Sequence, residues 1–276
     1  MPASHLLLAL GVVFVWGTNF VVIKLGLAEL PPFLFATLRF VFSAFPFVLF
    51  IKRPVVAWRK LAAFGVLLGA GQFGLLFYAM RADISPGLAS LVVQSQVFFT
   101  IGLAVALRGE RVRLVQWVAL GLAVAGILVI ALKQDASATL FGLGAVLSAA
   151  FCWACANLVA KSAGKVDMLG FMVWTSLFAV PPLLALSLAF EGPALMLQSL
   201  RGSDWVGWAA VGWQAVGNTL FGYGAWNWLL SHHPAATVTP TALLVPIFGM
   251  AASAWWLGES LPGWKLAGPG LGIAGL

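Results

Sequence analysis

The 276 residues are 62% hydrophobic and only 8% charged, with a mean hydropathy of +1.02, so the chain has too little polar surface to clothe a soluble globule and must fold in lipid. Its net charge of +7 does not mark a nucleic-acid binder, because the basic residues sit in short loops between apolar runs, where they act as topology signals. Those runs are continuous over about twenty residues rather than alternating, which selects membrane-spanning helices over a β-barrel.

The first run, Leu6 to Ile23, follows Met1-Pro2-Ala3-Ser4-His5, which lacks the basic start of a signal peptide, and is read as an uncleaved span. It contains Trp16-Gly17-Thr18-Asn19-Phe20 and ends at Lys24. Trp16 and Asn19 lie one turn apart on one face, where an indole and an amide either hold a flat amphipathic substrate or pack in the core. The second run, Phe33 to Ile51, holds Arg39, the one charge well inside a run and therefore a functional candidate. It either pairs with a substrate carboxylate or serves the structure, by snorkelling to the outer face or by binding backbone carbonyls. The third run, Leu61 to Met80, offers Gln72 and Tyr78 among Gly65, Gly69, Gly71 and Gly74, small residues that permit close approach or flexing. The fourth, Gly87 to Leu107, carries Ser90 and Gln94 on one face and Gln96 and Thr100 on another. A charged turn, Arg108-Gly109-Glu110, leads into the fifth, Leu114 to Leu132.

The sixth run, Leu140 to Ala160, sets Trp153 and Asn157 where the first run sets Trp16 and Asn19. Its Cys152 and Cys155 have no His or acidic residue nearby, so the pair is read as helix packing and no metal or cofactor is expected. The seventh, Met168 to Phe190, contains Pro181-Pro182. The eighth, Trp205 to Leu230, has the clearest polar stripe: Gln214, Asn218, Gly222 and Trp226 at four-residue spacing, flanked by Thr219, Tyr223 and Asn227. Such a face either lines a cavity or joins helices by hydrogen bonds. The ninth, Ala235 to Leu257, is interrupted by Pro240 and Pro246, which mark hinges or static kinks. A tenth, Gly263 to Leu276, reaches only about 21 Å against a hydrocarbon core of about 30 Å, so its helix is expected to be trimmed.

All eight acidic residues fall at the ends of runs or between them, as the cost of a carboxylate in lipid demands. Of the fifteen Lys and Arg, nine follow even-numbered runs and five follow odd-numbered ones, which places the amino terminus, and with ten spans the carboxyl terminus, in the cytoplasm. The halves repeat. A shift of 137 residues carries Phe14, Trp16, Val22 and Lys24 onto Phe151, Trp153, Val159 and Lys161, and a shift of 148 carries Gly69, Phe73, Gly74 and Pro86 onto Gly217, Phe221, Gly222 and Pro234. A shift of 149 superposes the turns at Glu110 and Glu259. Five helices per repeat oblige the second half to enter from the opposite side. The expected fold is all-α, ten helices in two inverted repeats, residues 1–135 and 136–276, around a central cavity, which is how alternating-access carriers are built.

No Asp, Glu or His lies mid-span, so no proton relay or sodium-binding carboxylate is evident, and Glu110 and Glu259 are read as loop locks. An intramembrane enzyme would need clustered acids, His or an activated nucleophile, and a channel a charged ring or filter loop. With both halves in one chain, a monomer is expected.

Taken together, Trp16-Gly17-Thr18-Asn19-Phe20 with Lys24, Pro31-Pro32, Arg39, Leu107-Arg108-Gly109-Glu110, Gly121 and Gly126, with their echoes in the second half, resemble the EamA-type drug/metabolite transporters. The resemblance implies a bacterial inner-membrane exporter of small metabolites, similar to the aromatic amino-acid exporters of that family, with drugs, purines or sugars as alternative cargo. The second half departs from the first in placing Ser176 where Arg39 would project, which is compatible with a structural role for Arg39.

Overall fold

The computed structural model describes residues 1–108, 138–233 and 235–260; Glu110, the fifth and tenth runs, and with them Lys133, Trp264 and Lys265, lie outside the described residues. The described elements are helical, apart from an isolated bridge between Ile84 and Ala138. They are α1 (Ala3–Glu29), α2 (Pro32–Ala44), α3 (Trp58–Ala82), α4 (86–108), α5 (Leu140–Ala163), α6 (Met168–Phe190), α7 (Gly192–Gly202), α8 (205–232) and α9 (235–257). Among the described residues, five stretches are long and apolar enough to cross a membrane: α1, α2 extended to Leu49, α3, α5 and α6. The linker after Glu191 folds into α7, which buries none of its residues.

Helix starts follow local chemistry. Pro32 and Pro86 occupy first-turn positions, where a missing N–H costs nothing. Ser85, Thr139, Asp167 and Asp204 accept from first-turn amides of α4, α5, α6 and α8. Pro246 likewise opens the α-helical segment Val245–Leu257, and Pro240 opens the 3-10 segment Thr239–Leu244. Neither breaks an established α-helical ladder. Pro181 and Pro182 do lie inside α6, which runs on through them.

Contacts between helix ends fix the direction of each helix. At one end of the bundle His5 meets His233, Lys60 donates to the carbonyl of Ser162, and Trp174 donates to the carbonyl of Ile51. At the other, Glu191 meets the start of α2, Glu259 the start of α4, Asp83 pairs with Thr139, and Ser203 donates to the carbonyl of Glu29. The first end gathers Lys52, Arg53, Arg59, Lys60, Lys161 and Lys165 with Asp167; the second gathers Glu29, Asp83, Glu191, Asp204 and Glu259 with Lys24, Arg81 and Arg201. Lys24 donates to the terminal carbonyls of Met80 and Arg81, offsetting the negative end of α3.

Small residues set how closely the helices pack. A Cβ on Gly17 would lie 2.8 Å from the carbonyl oxygen of Val245, and one on Gly65 would lie within contact of the Thr175 carbonyl of α6. Close approach, rather than flexing, is what Gly65 and its neighbour Gly69 provide. Cys152 packs against Gly71 across the α3–α5 seam.

Two helices change pitch at mid-length. In α3 the π-helical segment is Leu67–Gly74 and in α8 it is Trp213–Tyr223. The shift of 148 residues that relates Gly69, Phe73 and Gly74 to Gly217, Phe221 and Gly222 carries one segment onto the other. The 3-10 turns Val93–Ser95 of α4 and Thr239–Leu244 of α9 correspond in the same way.

Candidate functional site

The wide turn of α8 decides which side chains face inward. Thr219 donates to the carbonyl of Gln214 five residues back, at 2.8 Å, as a π-helix allows. Two strips that an α-helix would aim in different directions therefore both turn in: Gln214, Asn218, Thr219, Gly222 and Tyr223 are all buried. The stripe read from the sequence at four-residue spacing, Gln214, Asn218, Gly222 and Trp226, and its flanking Thr219, Tyr223 and Asn227 are all buried.

Around Gln214 the buried amides and Arg39 form one network joining α1, α2 and α8. Gln214 Nε2 donates to Asn19 Oδ1 at 2.8 Å, and Gln214 Oε1 accepts from Asn218 at 3.0 Å and from Arg39 Nη1 at 3.0 Å. Arg39 Nε donates to Thr219 Oγ1 at 2.7 Å. The guanidinium is fully buried, lies 3.4 Å from the Phe73 ring centroid and makes no ion pair among the described residues. It neither snorkels nor binds backbone carbonyls, because its partners are side chains on α8 at the same depth. Its Nη2 has no protein partner.

Next to this network is an aromatic cluster from both halves of the chain. Trp16 lies 5.3 Å from Trp153, 4.9 Å from Tyr223 and 5.0 Å from Trp226, centroid to centroid, in tilted and edge-on pairs. Phe73 and Trp153 complete it at 5.9 and 6.0 Å from Tyr223. The arrangement needs Gly222, since a Cβ there would fall 2.5 Å from Trp16 Nε1. Gln72 donates to the Tyr223 hydroxyl at 2.9 Å, which ties α3 into the cluster. All three indole N–H groups, of Trp16, Trp153 and Trp226, are buried without an acceptor among the described residues, a costly arrangement for a purely structural core.

The other candidates are more dispersed. Asn157 donates to Gln96 at 3.1 Å, joining α5 to α4. Gln94 is buried with neither end of its amide partnered. Ser90 bonds its own helix at the Gly87 carbonyl and presses on Gly249, which is packing. Tyr78 is not brought to the cluster: it lies on the outward side of α3, 36% exposed, stacked on Phe33. Glu259 accepts from Ser85 Oγ at 2.5 Å and from the Gly87 amide at 3.0 Å, so it binds the positive end of α4. Glu110 lies outside the described residues.

Sequence reasoning missed the matching role of Glu191. Its two oxygens accept from the amides of Phe33 and Leu34 at 2.6 and 2.9 Å, and Ser187 donates to it at 2.6 Å. A carboxylate on α6 thus caps α2. An open cleft of about 620 Å³ between α6 and α8, lined by Met168, Phe221 and Trp228 among others, holds none of the candidate residues.

The model of the EamA-like transporter family matches residues 3–132 and again residues 140–276. The chain is 40% identical to a protein named probable amino-acid metabolite efflux pump from Salmonella typhimurium, over 98% of this chain and 92% of that one. It is 38% identical to the protein of the same name from Escherichia coli K12, with the same coverage. A probable terminal-alkyne amino-acid exporter from Streptantibioticus cattleyicolor is 24% identical over 96% of this chain and 89% of that one. A solved crystal structure covers 100% of this chain and 96% of its own at a TM-score of 0.63, and at 17% identity it shows a shared fold alone.

Proposed function

The chain belongs to the EamA-like transporter family, and from that premise we propose that it exports small amphipathic metabolites, amino acids with large side chains among them, by alternating access to the central cluster. It is a multi-pass membrane protein and a transporter. The observation that carries the substrate reading is the buried cluster at mid-helix, where amides, a guanidinium and three indoles from α1, α2, α3, α5 and α8 converge. The names of the relatives from Salmonella typhimurium and Escherichia coli support the same class of cargo.

The architecture proposed is ten helices in two inverted repeats, residues 1–135 and 136–276. Two observations support it: the family match falls in two successive blocks, and the π-helical segments of α3 and α8 correspond under the internal shift. The basic end of the bundle is then cytoplasmic and holds both termini, in the inner membrane of a bacterium. A monomer suffices, since both halves contribute to the one cluster. The buried core of the described residues holds no carboxylate, which supports facilitated diffusion rather than transport coupled to a proton or sodium ion.

Proteoliposome flux tests this. Saturable flux of labelled phenylalanine and tryptophan that ignores an imposed pH gradient is the expected outcome. Flux of an organic cation alone, or flux of any solute that requires the gradient, would overturn the reading.

A further inference from the structure

We propose that the central cluster recognises a carboxylate and does not read an ammonium, with Arg39 as the residue that binds it. The ligand class is then a carboxylate on a flat apolar body, so N-acylated amino acids and simple aryl acids fit as well as free amino acids. This rests on the reading of the chain as an exporter of amphipathic metabolites and narrows its substrate class.

The argument starts from the inventory of groups left over. Arg39 spends Nε on Thr219 and Nη1 on Gln214, and its Nη2 is buried without a protein partner. The guanidinium carbon lies 6.0 Å from the Tyr223 ring, and that ring lies 4.9 Å from Trp16 and 6.0 Å from Trp153. The indole N–H groups of Trp16, Trp153 and Trp226 are likewise buried and unpartnered. Three residues with an unused donor, one of them cationic, therefore adjoin Tyr223, and the fourth, Trp226, lies 5.0 Å from Trp16. The unused amide acceptors are Gln72 Oε1, on the amide whose nitrogen binds the Tyr223 hydroxyl, Gln94 Oε1 and Asn227 Oδ1, all of them neutral.

A carboxylate offers acceptor sites on two oxygens and no donor, which matches that surplus. An ammonium is all donor and calls for an anionic acceptor, whereas the unused acceptors here are neutral amide oxygens: Glu29, Asp83, Asp167, Glu191, Asp204 and Glu259 all lie at the helix ends. The charge argument runs the same way. A guanidinium buried among amides and a phenyl face keeps much of its desolvation cost, because dipoles and a ring quadrupole do not supply a countercharge. An anionic ligand supplies it, through charge-assisted bonds stronger than neutral ones. The ring faces of Trp16 and Trp153 take the apolar body by stacking. The same reasoning explains why the second half, with Ser176 at the corresponding place, needs no second cation: one carboxylate requires one.

The test is ligand binding by the purified full chain, read by quenching of tryptophan fluorescence and by thermal shift. The probes are phenylalanine, N-acetylphenylalanine, 3-phenylpropionate, phenylalaninamide and phenethylamine. N-acetylphenylalanine and 3-phenylpropionate should bind at least as tightly as phenylalanine, and the amide and the amine about tenfold or more weaker than those two acids, the scale of one lost charge-assisted contact. R39Q should lose about tenfold or more for all three acids while binding of the amine does not weaken, since a like charge has been removed. Equal binding of the amide and 3-phenylpropionate, or wild-type affinity in an R39Q protein that melts cooperatively, would overturn the assignment. If R39Q does not fold, the wild-type series alone decides. Acids that bind but are not moved across a bilayer would instead sink the transport reading and leave the carboxylate site standing.

Discussion

Individual side chains differ in how openly they announce their work. Trp16, Trp153, Gln214 and Asn218 stood out because amides and repeated indoles in apolar runs have few reasons to be there. Arg39 stood out for the same reason, but its partners did not, since Gln214 and Thr219 lie 175 and 180 residues away. Glu191 was invisible as a cap because a carboxylate at the end of a run reads as a boundary, and its acceptor role depends on α2, more than 150 residues earlier. The His5–His233 contact, 2.7 Å between ring nitrogens, was equally hidden. Desolvation and the positive charges of His5, the amino terminus and His232 hold the His233 imidazole below its ordinary range. The folded protein thus resists a proton that the unfolded chain accepts, so stability from this contact is present above the ordinary imidazole pKa of about 6.5 and lost as pH falls through and below it. Melting in detergent should fall between about pH 7.5 and 5, and H233Q should flatten the slope. A slope that survives H233Q would assign the pH dependence elsewhere.

Whole helices were legible by length and hydropathy, whereas their internal pitch was not. The π-helical segments of α3 and α8 arise because neighbours reward an inward-facing set of residues that an α-helix would divide, and no single residue encodes that. The sequence did show the glycines that let helices meet, leaving open whether they pack or flex. Packing makes a definite demand. A Cβ on Gly65 would collide with the backbone carbonyl of Thr175, which cannot swing aside as a side chain would, whereas a Cβ on Gly144 of α5 meets nothing within 4 Å. G65A should therefore destabilise the protein by about 1–3 kcal/mol through overpacking. G144A should be neutral or stabilising by up to about 1 kcal/mol, since alanine is the better helix former. Thermal melting of both variants in one detergent checks this, and equal melting temperatures would mean that the α3–α6 seam is looser than described.

At the scale of the molecule, Glu191 and Glu259, the carboxylates that bind the N-terminus of a helix in the other half of the chain, share a geometry with consequences for transport. Glu191 of α6 holds the start of α2, and Glu259 after α9 holds the start of α4, both on the acidic end of the bundle. Each joins the second half of the chain to the first. In the proposed topology that end faces outward, so an outward-opening motion that separates the halves must break charge-assisted bonds at both places, each worth about 1.5–3 kcal/mol before water replaces it. Among the described residues, the contacts that join the basic end include Lys60 to the Ser162 carbonyl and His5 to His233. Replacing Glu191 and Glu259 together by Gln keeps their shape and one acceptor each but removes the charge, and should shift the resting population toward outward-open. With Cys152 and Cys155 changed to Ser and a reporter introduced as S90C, a buried position between α4 and α9, labelling by an impermeant maleimide from outside should accelerate about tenfold, the effect of a shift of about 1.4 kcal/mol. If labelling is unchanged while melting falls, the two carboxylates only cap their helices, and the barrier to opening lies in the aromatic cluster itself.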